Sequence, residues 1–131
     1  MSSLQNTHFK RFLLIGGNGL LSFNLSWLLK DLVEIHCFTR QEKGTFKEIR
    51  YHQISFNEDE LMIKELISKI NPDFVLNAAG LTSVEKCESM PSEAFSANVK
   101  IPELLARCCS ELKVKFIHIS TDHFSCSSTF E

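Results

Sequence analysis

The stretch RFLLIGGNGLLSFNLSWLLK, residues 11–30, decides the fold of this chain. Residues 12–15 form a short apolar run that stops at a glycine, which is the pattern of a buried strand. After the glycines, leucines recur at helical spacing. They are Leu20, Leu21, Leu25, Leu28 and Leu29. The stretch therefore predicts a buried strand, a tight glycine turn and a helix.

The rest of the chain alternates strands with helices. Further strands are predicted at residues 33–38, 49–54, 74–76 and 115–119. Helices are predicted from Asn57 to residue 70 and over residues 92–112. Asn57 is expected to cap the first of these two helices, with Glu58, Asp59 and Glu60 at the positive end of its dipole and Pro72 beyond its end. Leu61, Ile63, Leu66, Ile67 and Ile70 mark its expected buried stripe.

Apolar strands that alternate with helices indicate an α/β fold with a parallel sheet covered on both faces. Right-handed crossovers then give a Rossmann-like, doubly wound sheet of about five strands in the order 3-2-1-4-5. We expect residues 1–131 to be one such domain.

Composition narrows the class of function. The chain has 131 residues, 44% hydrophobic and 23% charged, as in a globular domain. Its net charge of -2 and scattered basic residues disfavour nucleic-acid binding. No apolar stretch is long enough for a membrane span, and the polar residues 1–10 lack the apolar stretch of a signal peptide. Five cysteines without a C-x-x-C pair, and five histidines without ligand spacing, predict free thiols in the cytoplasm and no metal site.

The glycine turn indicates what the domain binds. Gly16 allows the tight turn, and Gly19 lets a pyrophosphate approach the backbone at the N-terminus of the helix. This placement predicts a dinucleotide cofactor, while an ordinary strand–helix turn that merely needs glycines is the alternative. Ser22 replaces the third glycine of the usual fingerprint, which serves close helix–strand packing. No Gly-Lys-Ser/Thr follows, which excludes a Walker-type phosphate site.

The end of the second strand indicates which dinucleotide. An acid at this position favours NAD, whereas an arginine accommodates the 2′-phosphate of NADP. Residues 38–41 read Phe-Thr-Arg-Gln, with no acid before Glu42. Arg40 therefore favours NADP over NAD, and a solvated surface arginine is the alternative.

Four stretches together resemble the extended short-chain dehydrogenase/reductases, and within them the dTDP-4-dehydrorhamnose reductases and other nucleotide-sugar enzymes. They are LLIGGNGLL at 13–21, NPDFVLNAAG at 71–80, TSVEKCE at 82–88 with Ala94 and Asn98 beyond, and IHISTD at 117–122. The stretches lie in the family's order and spacing, and they cover nearly all of the chain.

The resemblance implies hydride transfer from NADPH (or NADH) to a 4-keto sugar nucleotide, and a homodimer as the assembly. It assigns Thr82 and Val84 to substrate binding. Ser55 stands where the family has an acid lining the adenine pocket. The implied cofactor-binding residues are Gly16, Asn18, Gly19, Leu20, Leu21, Arg40, Phe56, Asn77, Ala78, Ala79 and Gly80.

The resemblance also implies three catalytic residues, Asn98, Ser120 and Thr121. The family threonine matching Thr121 hydrogen-bonds the substrate carbonyl, although His123 stands where the family has tyrosine. Pro102 has no N–H for the carbonyl of Asn98, which leaves that carbonyl for a water in a proton relay or simply kinks the helix.

The family's proton donor is a Tyr-x-x-x-Lys pair, expected about two dozen residues beyond the Ser-Thr-Asp segment. Tyr51 is the single tyrosine of the sequence, and Ser55 stands four residues after it. We therefore expect an N-terminal, cofactor-binding part of a longer reductase, truncated before the sixth strand and inactive alone. The alternatives are a non-catalytic NAD(P)-binding regulatory subunit and an interaction domain that has lost the ligand.

Overall fold

The computed structural model describes residues 10–16, 19–40, 44–55, 59–79 and 88–119, without the side chain of residue 94. Strands and helices alternate along the chain as predicted, and the second and third strands follow each other without a helix. The elements are β1 (Arg11–Ile15), α1 (Leu20–Leu29), β2 (Glu34–Thr39), β3 (Arg50–Gln53), α2 (Glu60–Ile70), β4 (Phe74–Asn77), α3 (Pro91–Phe95), a π-helical segment (Ser96–Lys100), α4 (Ile101–Leu112) and β5 (Lys115–His118).

The five strands form one parallel sheet in the order β3-β2-β1-β4-β5, which confirms the predicted fold class and strand order. Ile15 at the end of β1 pairs with Phe38 on β2 and with Asn77 on β4. The carboxyl ends of these three strands therefore lie level at one edge. The strand order reverses between β1 and β4, and ligands bind at such a switch point in open α/β sheets.

Each face of the sheet carries its own apolar core. Leu13 and Ile15 point to the face covered by α2 and α4, where Ile63 and Ile67 are fully buried. Leu14 points to the opposite face, where the core also holds residues of β2 and is flanked by leucines of α1. Burial of one such side chain contributes about 1.5–3 kcal/mol. The two cores explain why β1 is apolar throughout.

Helix α2 begins later than the sequence predicted. Its cap is Asp59, whose carboxylate accepts from the backbone N–H of Leu61 over 3.1 Å, so the expectation of a cap at Asn57 was wrong. The spacing of four and three residues places the buried isoleucines Ile63, Ile67 and Ile70 on one face of the helix. Leu61 is 57% exposed and lies outside that stripe. The helix ends at Asn71 in the left-handed conformation, just before the proline.

Helix α1 turns serines toward the sheet. Ser22 and Ser26 are its buried residues, whereas Leu25 and Leu29 only flank the core. Leu20 is 82% exposed, so the leucine spacing does not mark the buried face. Small side chains one helical turn apart let the helix backbone lie close to the strands. Ser22 thus occupies the packing position at which the fingerprint has glycine.

A network of polar side chains connects the strands β1, β2 and β3 near their beginnings. Nδ1 of His36 lies 2.9 Å from Nε2 of His52, and the two rings are parallel within 9°. Nε2 of His36 lies 2.9 Å from a carboxylate oxygen of Glu34, which also pairs with Arg11 at 3.0 Å. These contacts connect the edge strand β3 to its neighbours.

The surroundings of these side chains lower the pKa values of His52 and Glu34. Burial, followed by electrostatic interactions with His36 and Arg50, lowers the pKa of His52 from its ordinary 6.5. The hydrogen bond with His36, assisted by Arg11, lowers the pKa of the Glu34 carboxyl from its ordinary 4.5. The folded protein therefore favours the deprotonated form of both side chains, His52 and Glu34.

Replacing Ser22 by alanine should stabilise the protein. The Ser22 hydroxyl is fully buried and has no hydrogen-bond partner among the described residues, which costs about 1–3 kcal/mol. Ser22→Ala should raise the free energy of unfolding by about 1 kcal/mol in urea titrations. Ser22→Val is the matched control and should lower it, because a larger side chain pushes the helix off the sheet. A less stable Ser22→Ala variant would show that the Ser22 hydroxyl has a hydrogen-bond partner after all.

Acidification should weaken the fold through His52. Because its pKa is lower in the folded protein, the unfolded chain binds the proton more tightly. Its contribution to stability is therefore complete above pH 6.5 and declines as the pH falls below that value. The urea midpoint should fall between about pH 7.5 and about pH 5.5, a range above the window of Glu34. His52→Gln should flatten this dependence; an equal fall in both proteins would refute the assignment.

Candidate functional site

The centre of the candidate site is Gly16, at the end of β1. Its φ is +84°, and a Cβ atom there would lie 2.9 Å from the backbone N and Cα of Ala79. Its N–H donates to the carbonyl of Phe38 over 3.1 Å. Gly16 therefore joins the ends of β2 and β4 to β1, and both its conformation and its neighbours require glycine.

Gly19 differs from Gly16, because the described structure does not require a glycine there. Its φ of -75° suits any residue, and its N–H donates to the carbonyl of Gly16 over 3.0 Å. Within the described residues, an added Cβ atom would meet only that carbonyl oxygen, at 3.4 Å, an ordinary contact. The absence of a side chain at Gly19 thus leaves space beside the start of α1.

The N-terminus of α1 is suited to an anion. Its first intrahelical bond runs from the N–H of Phe23 to the carbonyl of Gly19, so three N–H groups precede it. No side chain in the described structure caps this end, and its first turn contains no acid. These N–H groups and the positive end of the helix dipole can hold phosphate oxygens.

Asn77 fixes the adjacent edge of the site. Its side chain is fully buried, and its Oδ1 accepts from the N–H of Ala79 over 3.2 Å. Its amide nitrogen bonds Nδ1 of His118 on β5 over 3.1 Å. Ala78 donates its N–H to the carbonyl of Ile15 over 3.0 Å. Asn77 thereby holds the segment that lies against Gly16, a positioning role that the sequence motif did not reveal.

The end of β2 places Arg40 at the same edge of the sheet. Thr39 before it is buried, whereas Arg40 is exposed. The backbone carbonyl of Arg40 accepts from Nε2 of Gln53 over 3.3 Å, and that of Thr39 accepts from Ile54 over 2.9 Å. The backbone after β2 is therefore tied to β3, while the guanidinium group is on the solvent side.

Asn98 lies in the π-helical segment between α3 and α4. The N–H of Ile101 donates to the carbonyl of Ser96, five residues back, and Pro102 follows at once. The chain thus widens by a π turn in front of the proline, an irregularity that often accompanies functional sites. Asn98 is exposed, and its part in a water relay remains a prediction.

Several predicted site residues lie outside the described residues, while Leu20 and Leu21 lie exposed in the first turn of α1. The structure thus brings together the glycine turn, the end of β4 and Arg40. The residues outside the described ranges are Asn18, Phe56, Gly80, Thr82, Val84, Ser120 and Thr121.

Other groups with chemical potential have structural roles. Tyr51 accepts a hydrogen bond from the N–H of Phe46 over 3.2 Å, and burial raises the pKa of its hydroxyl. Burial raises the pKa of the Cys37 thiol to about 12 and that of Cys109 to about 11, which makes both poor nucleophiles. Among the described residues, no cluster of side chains could hold a metal ion, and no helix is long and apolar enough to span a membrane.

Known proteins share both the sequence and the fold. The sequence profile of the family described as RmlD substrate binding domain matches residues 10–126. The chain is 33% identical over 111 residues to a probable low-salt glycan biosynthesis reductase, Agl14, of Haloferax volcanii, covering 82% of this chain and 36% of that protein. It is 29% identical over 117 residues to the dTDP-4-dehydrorhamnose reductase of Aggregatibacter actinomycetemcomitans, covering 86% and 35%.

Solved structures give the same result for the fold. A hypothetical dTDP-4-dehydrorhamnose reductase from Sulfolobus tokodaii superposes with a TM-score of 0.73 at 28% identity, covering 86% of this chain and 39% of that one. The enzyme of that name from Bacillus anthracis, solved with NADP, superposes with a TM-score of 0.72 at 20% identity, covering 89% and 38%.

This chain spans little more than a third of the length of the curated relatives cited above. The profile match extends over most of the sequence, from the start of β1 to beyond β5. The chain belongs to the RmlD substrate binding domain family.

Proposed function

We propose that this chain is the NAD(P)-binding part of a nucleotide-sugar reductase of the dTDP-4-dehydrorhamnose reductase type. The observation that carries the proposal is the space beside Gly19. The described structure tolerates a side chain at this position, yet the sequence leaves it empty beside an uncapped helix N-terminus. A pyrophosphate that approaches the backbone closely accounts for both features.

Each of the described site residues then has a proposed role. The N–H groups at the start of α1 hold the pyrophosphate, and the guanidinium of Arg40 binds the 2′-phosphate of NADP. Ala78 and Ala79 are small enough for the cofactor to pass close to the end of β4. The Bacillus anthracis relative was solved with NADP, which supports this choice of cofactor.

The proposed reaction is the reduction of a 4-keto sugar nucleotide. The bound cofactor supplies the hydride. Thr82 and Val84 contact the substrate, and the Thr121 hydroxyl donates a hydrogen bond to its carbonyl oxygen, with Ser120 alongside. Asn98, in the widened helix before Pro102, takes part in the proton relay. The two curated relatives cited above are named as a probable low-salt glycan biosynthesis reductase and a dTDP-4-dehydrorhamnose reductase, which supports this substrate class.

A second candidate function is a non-catalytic NAD(P)-binding subunit. It is favoured by Tyr51, the single tyrosine of the sequence, whose hydroxyl bonds the backbone of Phe46 rather than facing the cofactor edge. Neither function lets the 131 residues reduce a ketone alone. An in-frame Tyr-x-x-x-Lys in the transcript downstream of Glu131 would favour the enzyme, and a stop codon would favour the subunit.

Gly19→Ala should separate binding from folding. The new Cβ atom fits the described structure but fills the space for the pyrophosphate. Titration calorimetry with NADPH should show at least a tenfold loss of affinity, while the free energy of unfolding falls by only about 1 kcal/mol, the usual cost of alanine at a helix N-cap.

Gly16→Ala is the contrast, because its positive φ and the contact with Ala79 should destabilise the fold by about 2 kcal/mol or more. Full NADPH affinity in Gly19→Ala, or no binding of NADPH, NADH or ADP-ribose to the unmodified chain, would contradict the proposal.

Arg40→Ala should change the cofactor preference. Loss of a guanidinium that pairs with the 2′-phosphate should weaken NADPH about tenfold or more and leave NADH nearly unchanged, because only NADPH carries that phosphate. Competition titrations with both cofactors give the ratio of the two affinities. Arg50→Ala, an exposed arginine at the start of β3, is the control. An equal loss for both cofactors in Arg40→Ala would remove Arg40 from the site.

A further inference from the structure

An open pocket of about 340 Å³ lies toward the amino ends of the strands, away from the glycine turn. It is lined by Leu66 and Ile70, in the last turns of α2, and by polar side chains near the beginnings of β1, β2 and β3. Gly16 and Arg40, by contrast, follow the carboxyl ends of their strands. The volume of the pocket is within the range of small-molecule sites. This pocket is therefore separate from the proposed cofactor site.

The lining of the pocket is positively charged. It contains three cations, Arg11, Arg50 and Lys69, and one carboxylate, that of Glu34. With the two lining histidines neutral, three positive charges less one negative charge leave a net charge of +2. Asp73, whose carboxylate accepts from the backbone N–H of Arg11 over 2.7 Å, is not among the lining residues. A pocket with this balance of charge attracts anions.

Two of the three cations are available to a ligand. The guanidinium of Arg11 is engaged by the protein, because its Nε lies 3.0 Å from a carboxylate oxygen of Glu34 and its Nη1 donates to the carbonyl of Ile70 over 2.7 Å. The second bond also offsets the negative end of the α2 dipole. Arg50 lies 3.4 Å from Glu34 with a side chain that is 71% exposed. Lys69 is exposed and has no ion pair with any described residue. Arg50 and Lys69 can therefore turn toward a bound anion.

His52 adds a third polar group, whose orientation is fixed by its neighbours. Its Nε2 lies 2.9 Å from Nδ1 of His36, and Nε2 of His36 lies 2.9 Å from the carboxylate of Glu34. The side chain of His36 is only 7% exposed, so these contacts are sheltered from water. We assign the protons from the network, in which His36 donates to Glu34 and accepts from His52. This assignment leaves Nδ1 of His52 without a proton, and a proton taken up there makes it a donor to an anion.

We propose that this pocket binds an organic phosphomonoester. The phosphate carries close to two negative charges at neutral pH, which matches the net charge of the lining. Its oxygens accept hydrogen bonds from the guanidinium of Arg50, the ammonium of Lys69 and the protonated Nδ1 of His52. The organic part of the ligand packs on Leu66 and Ile70, which an inorganic ion would leave uncovered. A monocarboxylate would neutralise only one of the two available cations.

Phenyl phosphate, which joins a phosphomonoester to an apolar ring, is a suitable probe. Titration of the full chain, followed by the NMR signals of the histidine side chains, should show saturable binding and a raised pKa of His52 in the complex. Lys69→Gln and Arg50→Gln should each weaken the affinity about threefold or more, since each removes one charge from the phosphate. Lys115→Gln is the matched control, because it removes another exposed lysine, on β5 at the far side of the sheet, and should bind like the unmodified chain. Circular dichroism checks that all variants are folded.

Four results would overturn the proposal. The first is no saturable binding at about 10 mM phenyl phosphate. The second is an equal loss of affinity in Lys69→Gln and Lys115→Gln. The third is an equal affinity for inorganic phosphate, because contact with the apolar residues of α2 would then add nothing. The fourth is binding that Gly19→Ala abolishes and Lys69→Gln leaves unchanged, which would place the phosphate at the glycine turn. NADPH binding is a separate measurement, so a failure of this site leaves the proposed function standing.

Discussion

The close approach of Gly16 to Ala79 is the contact on which the rest of the site depends. With a Cβ atom 2.9 Å from the Ala79 backbone, any other residue at 16 would force β1 and β4 apart at their carboxyl ends. The same glycine binds the carbonyl of Phe38, so three strand ends meet at one residue. Asn77 supports this junction from below by bonding Ala79 and His118. These contacts fix the backbone at the switch point of the sheet, where α1 begins.

The fixed start of α1 also explains why its buried residues are serines and its exposed residues are largely apolar. A helix that leaves a tight turn at the sheet edge must lie close to the strands, and only small side chains fit between. Ser22 and Ser26 take those positions, so most of the large apolar residues of the helix are left on its flanks and outer side. The constraint that shapes the glycine turn therefore also leaves the outer side of α1 largely apolar.

The sequence predicted the order of elements well, because apolar runs, glycines and prolines bound them clearly. The sequence-based predictions were wrong where contacts with other elements determine the structure. Asn57 and Asp59 are both good cap residues by type, so the sequence alone could not identify Asp59 as the cap that the structure shows. In α1 the leucine periodicity imitates a buried stripe while the buried residues are polar. The bond between Asn77 and His118 joins residues 41 positions apart and follows only from the register of β4 and β5.

The strongest functional evidence comes from residues that the fold itself does not explain. Gly16 would be glycine in any protein with this turn, because its backbone conformation and its neighbours demand it. Gly19 has an ordinary φ and, among the described residues, an ordinary contact; glycine suits its N-cap position, and the absence of a side chain also leaves room for a ligand. Arg40 is exposed at the same edge, and its backbone carbonyl accepts a hydrogen bond from Gln53 of β3. Under the proposed function, the phosphates of a dinucleotide occupy the room beside Gly19 and meet the guanidinium of Arg40.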